Sequence, residues 1–183
     1  MAKAKKDNLT EAQQKAAAFL TRTKPNLDAW RTAREAADAK AEAEAIAKIK
    51  VGDVMPDGTI YAGISPLTKE PMFTLPAQES LMMTFNEASK RASTLDAHGH
   101  KDWRIPTKEE LGRMFGSRVA IGGFNLSGAN PEGMYLSSSE SDFDVMRCVD
   151  FKTGGLGNVP KGSYPARYPI PVRFVRSGPV SAL

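Results

Sequence analysis

Two adjacent glutamates, Glu109 and Glu110, are the first residues of this chain whose types suit acid/base chemistry; they stand in DWRIPTKEELGRMF, residues 102–115. Paired carboxylates cleave glycosidic bonds when they flank the scissile bond. Neighbours on a helix point about 100° apart, so this pair cannot take those positions. Thr107 and Glu110 instead hold the T-x-x-E spacing of a capping box, and Glu109 falls in the first turn, where a carboxylate meets the positive end of the helix dipole. Both acids read as helix-starting residues. Cys148 is the single cysteine, which excludes an internal disulfide; in an alternating apolar stretch it reads as a small core residue and not as a nucleophile. His98 and His100 flank a glycine in a polar loop and read as surface residues. Two histidines and one cysteine leave no room for a Cys/His zinc site. In ESDFD, Glu140, Asp142 and Asp144 offer alternate oxygens, but the glycine turn and terminal bidentate carboxylate of an EF-hand loop are missing. The expectation is no catalytic residue, no metal and no cofactor.

The elements that would position these residues fall into two regions of different texture. Residues 1–50 hold 15 alanines, no glycine, and 11 Lys or Arg against 7 Asp or Glu, whereas residues 51–183 balance 14 against 14. The whole net charge of +4 therefore lies in the first region, interleaved with acids, and reads as a solvated helical face in preference to a nucleic-acid patch. One helix is predicted from Thr10, its N-cap, to Arg22. Pro25 then breaks the run, Asn26 caps a second helix, and that helix continues from Leu27 to Ile49. Leu27, Trp30, Ile46 and Ile49 are its large apolar residues and the candidates for docking or self-association. Pairs four apart, such as Arg34 with Asp38 and Glu44 with Lys48, lace its polar faces. So few apolar side chains describe an arm more than a domain.

From Val51 glycine, proline and short apolar stretches take over. Asp57-Gly58 signals a hairpin between two short strands. TFNEASKRASTL reads as a helix with Thr84 and Glu87 as its capping box and Ala88, Ala92 and Leu95 on the inner face. DVMRCVDF alternates, placing Val145, Val149 and Phe151 inward, and PIPVRFVRS reads as one closing strand. The sum is an α+β domain of short antiparallel strands, two short helices and long loops.

The order of these pieces resembles the Lcl C-terminal domain family, DUF1566. The resemblance rests on Asp102, Trp103, Arg104, Ile105, Pro106, Thr107, Glu110 and Leu111; then on Tyr135, Ser137, Ser138 and Glu140; then on Phe151 and Gly154; and finally on Val172, Arg173, Val175 and Arg176. It covers residues 51–177, leaving 1–50 as the arm and 178–183 as a tail. Leu136 departs from the family's usual tryptophan and Ser139 from its threonine. The resemblance implies a C-type lectin-like fold in which the signature residues hold the architecture, with Trp103 central and Arg104 reaching a carboxylate or backbone carbonyls, Glu140 being one candidate. Ligand then falls to the loops, where Phe124, Asn125, Asn130, Tyr164, Arg167 and Tyr168 offer aromatics, amides and a cation suited to glycan or protein.

These readings give a non-enzymatic binding module whose arm joins copies of itself or other virion proteins and whose head takes a cell-surface glycan or protein. No run is apolar enough to span a membrane, and MAKAKKDNLTEAQQ lacks the core of a signal peptide. The expectation is a phage virion protein made in the host cytoplasm, such as a capsid decoration, fibre or tail component. The alternatives are a cytoplasmic enzyme or regulator on the same fold, and nucleic-acid binding through the basic arm.

Overall fold

The computed structural model describes residues 10–77, 80–161 and 169–180. The chain divides into two compact units, Met1–Glu44 and Ala45–Leu183. The first is dominated by one helix, α1, Glu11–Ile46. At 1.5 Å per residue its 36 residues span about 54 Å.

The break expected at Pro25 does not occur. An interior proline removes one hydrogen bond and costs about 3 kcal/mol. A break would leave two fresh helix ends with four unsatisfied groups each, and would require a second nucleation. With alanine, the best helix former, on both sides, running through is the lesser loss. Asn26 is therefore an interior residue and not a cap. The helix also stops at Ile46, short of Ile49, so Lys48 is no longer a helical neighbour of Glu44. Lys15–Glu11, Arg34–Asp38 and Lys40–Glu44 pair along the surface at 2.7, 3.8 and 4.0 Å. Leu27 and Trp30 are 58% and 60% exposed, and the Arg34 guanidinium lies 5.5 Å from the Trp30 ring centre. Among the described residues, no helix is long and apolar enough to cross a membrane.

The second unit is mixed α+β, built on three small antiparallel sheets. β1 (Ile60–Ile64), β2 (Pro71–Thr74) and β8 (Val175–Ser177) form one, with β2 central. β3 (Leu81–Met83) pairs with β7 (Ile170–Val172) in a second. β4 (Met134–Asp142), β5 (Val145–Asp150) and β6 (Leu156–Pro160) form the third. Among the described residues, three short helices accompany them: α2 (Phe85–Ala92), α3 (Lys108–Gly116) and α4 (Arg118–Ile121). Both predicted capping boxes are present, Thr84 with Glu87 and Thr107 with Glu110.

The stretch expected to be one closing strand is two. Arg173 and Phe174 interrupt it, so that β7 joins β3 while β8 joins β2. Strand β5 differs too. Its predicted single inward face is replaced by burial on both faces: Met146 and Cys148 enter a cluster with Trp103, Leu136 and Phe174, while Val149 packs with Leu111, Met114, Tyr135 and Phe151. Val145 is only half-buried. The β4–β5 hairpin is thus the partition between two hydrophobic clusters. At the Asp57-Gly58 turn the expected incoming strand shrinks to a single bridge, Val54 to Ile60, with Gly58 at φ +86°. Ile49 packs against Met55, Tyr61 and Phe73, so its apolar surface is used inside this unit and not for docking.

Candidate functional site

Three stretches, distant in sequence, meet around Glu110. Helix α3 starts at the Thr107 cap, which aims the Glu110 carboxylate back along the chain. Arg104 grips it with Nη1 and Nη2 at 2.6 Å each and reaches Ser177 at 2.9 Å, while the Ser65 hydroxyl and the Thr107 N–H complete the shell. Burial alone would raise the Glu110 pKa. The hydrogen bonds from Arg104, Ser65 and Thr107 outweigh it and hold the carboxyl below its ordinary range. Arg104 therefore pairs with Glu110 and not with Glu140, whose partner is Lys161 at 2.6 Å.

The other signature residues close the same frame. Trp103 is buried and donates Nε1–H to the Ala97 carbonyl at 3.1 Å. Pro106 accepts from the Ser138 N–H at 2.8 Å, and Ser137 donates to the Arg147 carbonyl at 2.7 Å. Ser139 accepts from the Lys108 N–H, and Arg176 pairs with Asp102 at 3.1 Å. Tyr135 accepts at its hydroxyl from the Asn125 N–H and packs its ring on Phe124 and Phe151. Arg173 donates to the carbonyls of Leu75 and Gly122. No family model matches the chain, and no curated protein does either.

Two readings of titratable residues change. His98 and His100 are not surface residues: both fold over the Asp57 turn, with His98 Nδ1 donating to the Asp57 carbonyl at 2.8 Å and His100 Nε2 lying 3.0 Å from Asp57 Oδ2. Burial acts to raise the Asp57 pKa, but bonds from Thr59 and His100 pull it below the usual carboxylate range. Sequence signalled the turn through Asp-Gly and gave no sign of histidines 41 and 43 residues away. Cys148 is fully buried, and desolvation pushes its thiol up to about 11, which keeps it protonated near neutrality. Among the described residues, no three His, Cys, Asp or Glu side chains cluster to hold a metal ion. In ESDFD, Asp142 accepts from the Phe143 N–H and Asp144 sits at φ 60°.

The proposed ligand loop divides. Tyr164, Arg167 and Tyr168 lie outside the described residues. Phe124 is consumed internally, stacked on Phe151 at 4.3 Å, and the Asn125 side chain caps its own loop by accepting from Ser127. Asn130 is exposed and borders a cavity of about 310 Å³. Met134, Cys148, Val159 and Ile170 supply apolar lining, and Asn158, held by Arg147 at 2.9 Å, supplies a second amide. Gly157 keeps it open: a Cβ there would lie 2.6 Å from Met134 Cε and 2.8 Å from Cys148 Sγ. An apolar lining with two amides can seat a sugar ring or a peptide side chain.

Proposed function

We propose that the protein is a non-catalytic binding module: a C-type lectin-like head of DUF1566 type, residues 45–183, joined to a helical arm that associates with other chains. The observation that carries this reading is the closed bonding of Arg104, Glu110, Ser65 and Ser177, in which a buried carboxylate held below its ordinary range is spent on architecture. The binding surface is the cavity beside Asn130 and Asn158, and its ligand is a cell-surface glycan or protein. The arm contributes Leu27 and Trp30, whose exposure on a polar helix is surface that a partner chain would cover. An arm joining many copies and a head that binds suit a phage particle, where the protein would decorate the capsid or form part of a fibre or tail.

Light scattering of the full chain beside a fragment of residues 45–183 tests the plan. A multimeric full chain with a folded monomeric fragment is the expected result. A monomeric full chain would remove self-association from the reading.

A further inference from the structure

Of the three signature arginines, two are neutralised by carboxylates and the third has none among the described residues. Arg104 has Glu110 and Arg176 has Asp102. Arg173 is 1% exposed and has no bonded carboxylate among the described residues. Its Nε donates to the Leu75 carbonyl at 2.9 Å, its Nη1 donates to the Gly122 carbonyl at 2.7 Å, and its face lies 4.5 Å from the Phe124 ring centre. Its Nη2 is shut off from water and has no partner among the described residues. A buried guanidinium ordinarily sits against a carboxylate that it can grip with two bonds. Burial without that partner pushes Arg173 down to about 10.

Arg173 also borders a cavity of about 430 Å³ whose other walls include Val54, Ile60, Pro76, Ala77 and Ile121. Gly58 also borders it, and the adjacent Asp57 carboxylate is already engaged by Thr59 and His100. Among the described residues the lining is therefore apolar apart from backbone and one cation. An inorganic anion would gain nothing from such walls, and a neutral apolar molecule would leave the charge unanswered.

We propose that this cavity binds a small carboxylate with an apolar body, whose charge neutralises Arg173 and whose body fills the space beside Val54 and Ile121. Because Nη2 is closed to water, the charge and not a ready hydrogen bond is what the ligand answers on entry. The carboxylate can belong to a free organic acid or to the C-terminal residue of a peptide. The site is separate from the Asn130 cavity and stands independently of the glycan-binding reading.

Titration calorimetry of the full-length protein tests it, with hexanoate, hexanamide, N-acetyl-leucine and inorganic phosphate as probes. Val54 is 68% exposed on the cavity wall, so Val54→Glu and Val54→Lys keep the fold while reversing the local charge. Expected are binding of hexanoate or N-acetyl-leucine, at least tenfold weaker binding of hexanamide, and opposite shifts of about fivefold from the two Val54 variants. Tighter binding of N-acetyl-leucine names a peptide end; tighter binding of hexanoate names a free acid. Equal binding of hexanamide, binding of phosphate alone, no binding at all, or unchanged affinity in both variants would overturn the proposal. Arg173→Met should abolish binding, and the Val54 pair decides the matter if that variant fails to fold.

Discussion

At the residue scale, Glu110 does two jobs, capping α3 and neutralising Arg104, and the second makes it costly to change. Glu110→Gln keeps the size of the side chain while leaving Arg104 without its counter-ion. Breaking a buried pair costs 3–5 kcal/mol, and because Arg104 is 30% exposed the low end, about 3 kcal/mol, is expected from the urea midpoint. The pH dependence has a definite sign. The folded-state pKa of Glu110 is lowered, so its contribution is complete above the ordinary glutamate value and is lost as pH falls through the folded value. Wild type should therefore lose stability on acidification, and Glu110→Gln should show a flatter profile in that window. The capping role was legible because Thr107 is three residues away. The role of Ser65 was not, because 45 residues separate it from Glu110 and only the fold joins them. The choice between Glu110 and Glu140 for Arg104 was equally undecidable from spacing. So was the Asn130 cavity: its amide was legible in the loop, but its lining comes from β4, β5, β6 and β7.

At the element scale, the errors and successes share one cause. Helices α2 and α3 were legible since their start signals lie within one turn. Strands β7 and β8 were not separable, because no glycine, proline or other turn signal lies between Val172 and Val175 and the change of partner from β3 to β2 divides them. Strand β5 was misread because one-sided burial was assumed where both faces are covered. Pro25 was taken as a stop because its local penalty is real; the alanines around it decide otherwise. Pro25→Ala should accordingly remove about 3 kcal/mol of strain from α1 and slow amide exchange in the residues around it. Unchanged exchange would contradict a helix continuous through residue 25. Gly154 offers a complementary test in the head. It sits at φ +79° with a Cβ position 2.7 Å from the Phe115 ring, so Gly154→Ala should destabilise by about 2 kcal/mol in thermal unfolding.

At the scale of the whole molecule, the two units differ in what sustains them. Residues 45–183 bury several clusters of apolar side chains, whereas α1 exposes Leu27 and Trp30. If α1 is an association device, Trp30→Ala in the full chain should raise the concentration for half-assembly about tenfold, as expected for loss of an aromatic anchor, and leave the head's melting unchanged. The composition shift near residue 50 made two regions legible; what neither region revealed was how late the head is completed. The central strand β2 is bordered by β8, about a hundred residues further on, and Thr74 bonds the Phe174 carbonyl. Arg104 likewise bridges to Val175. During synthesis, then, the head has no finished edge until Ser177 has left the ribosome, while α1 emerges first with purely local bonds. A chain released before Val175 would carry an intact helix on an open sheet edge, a substrate for proteolysis.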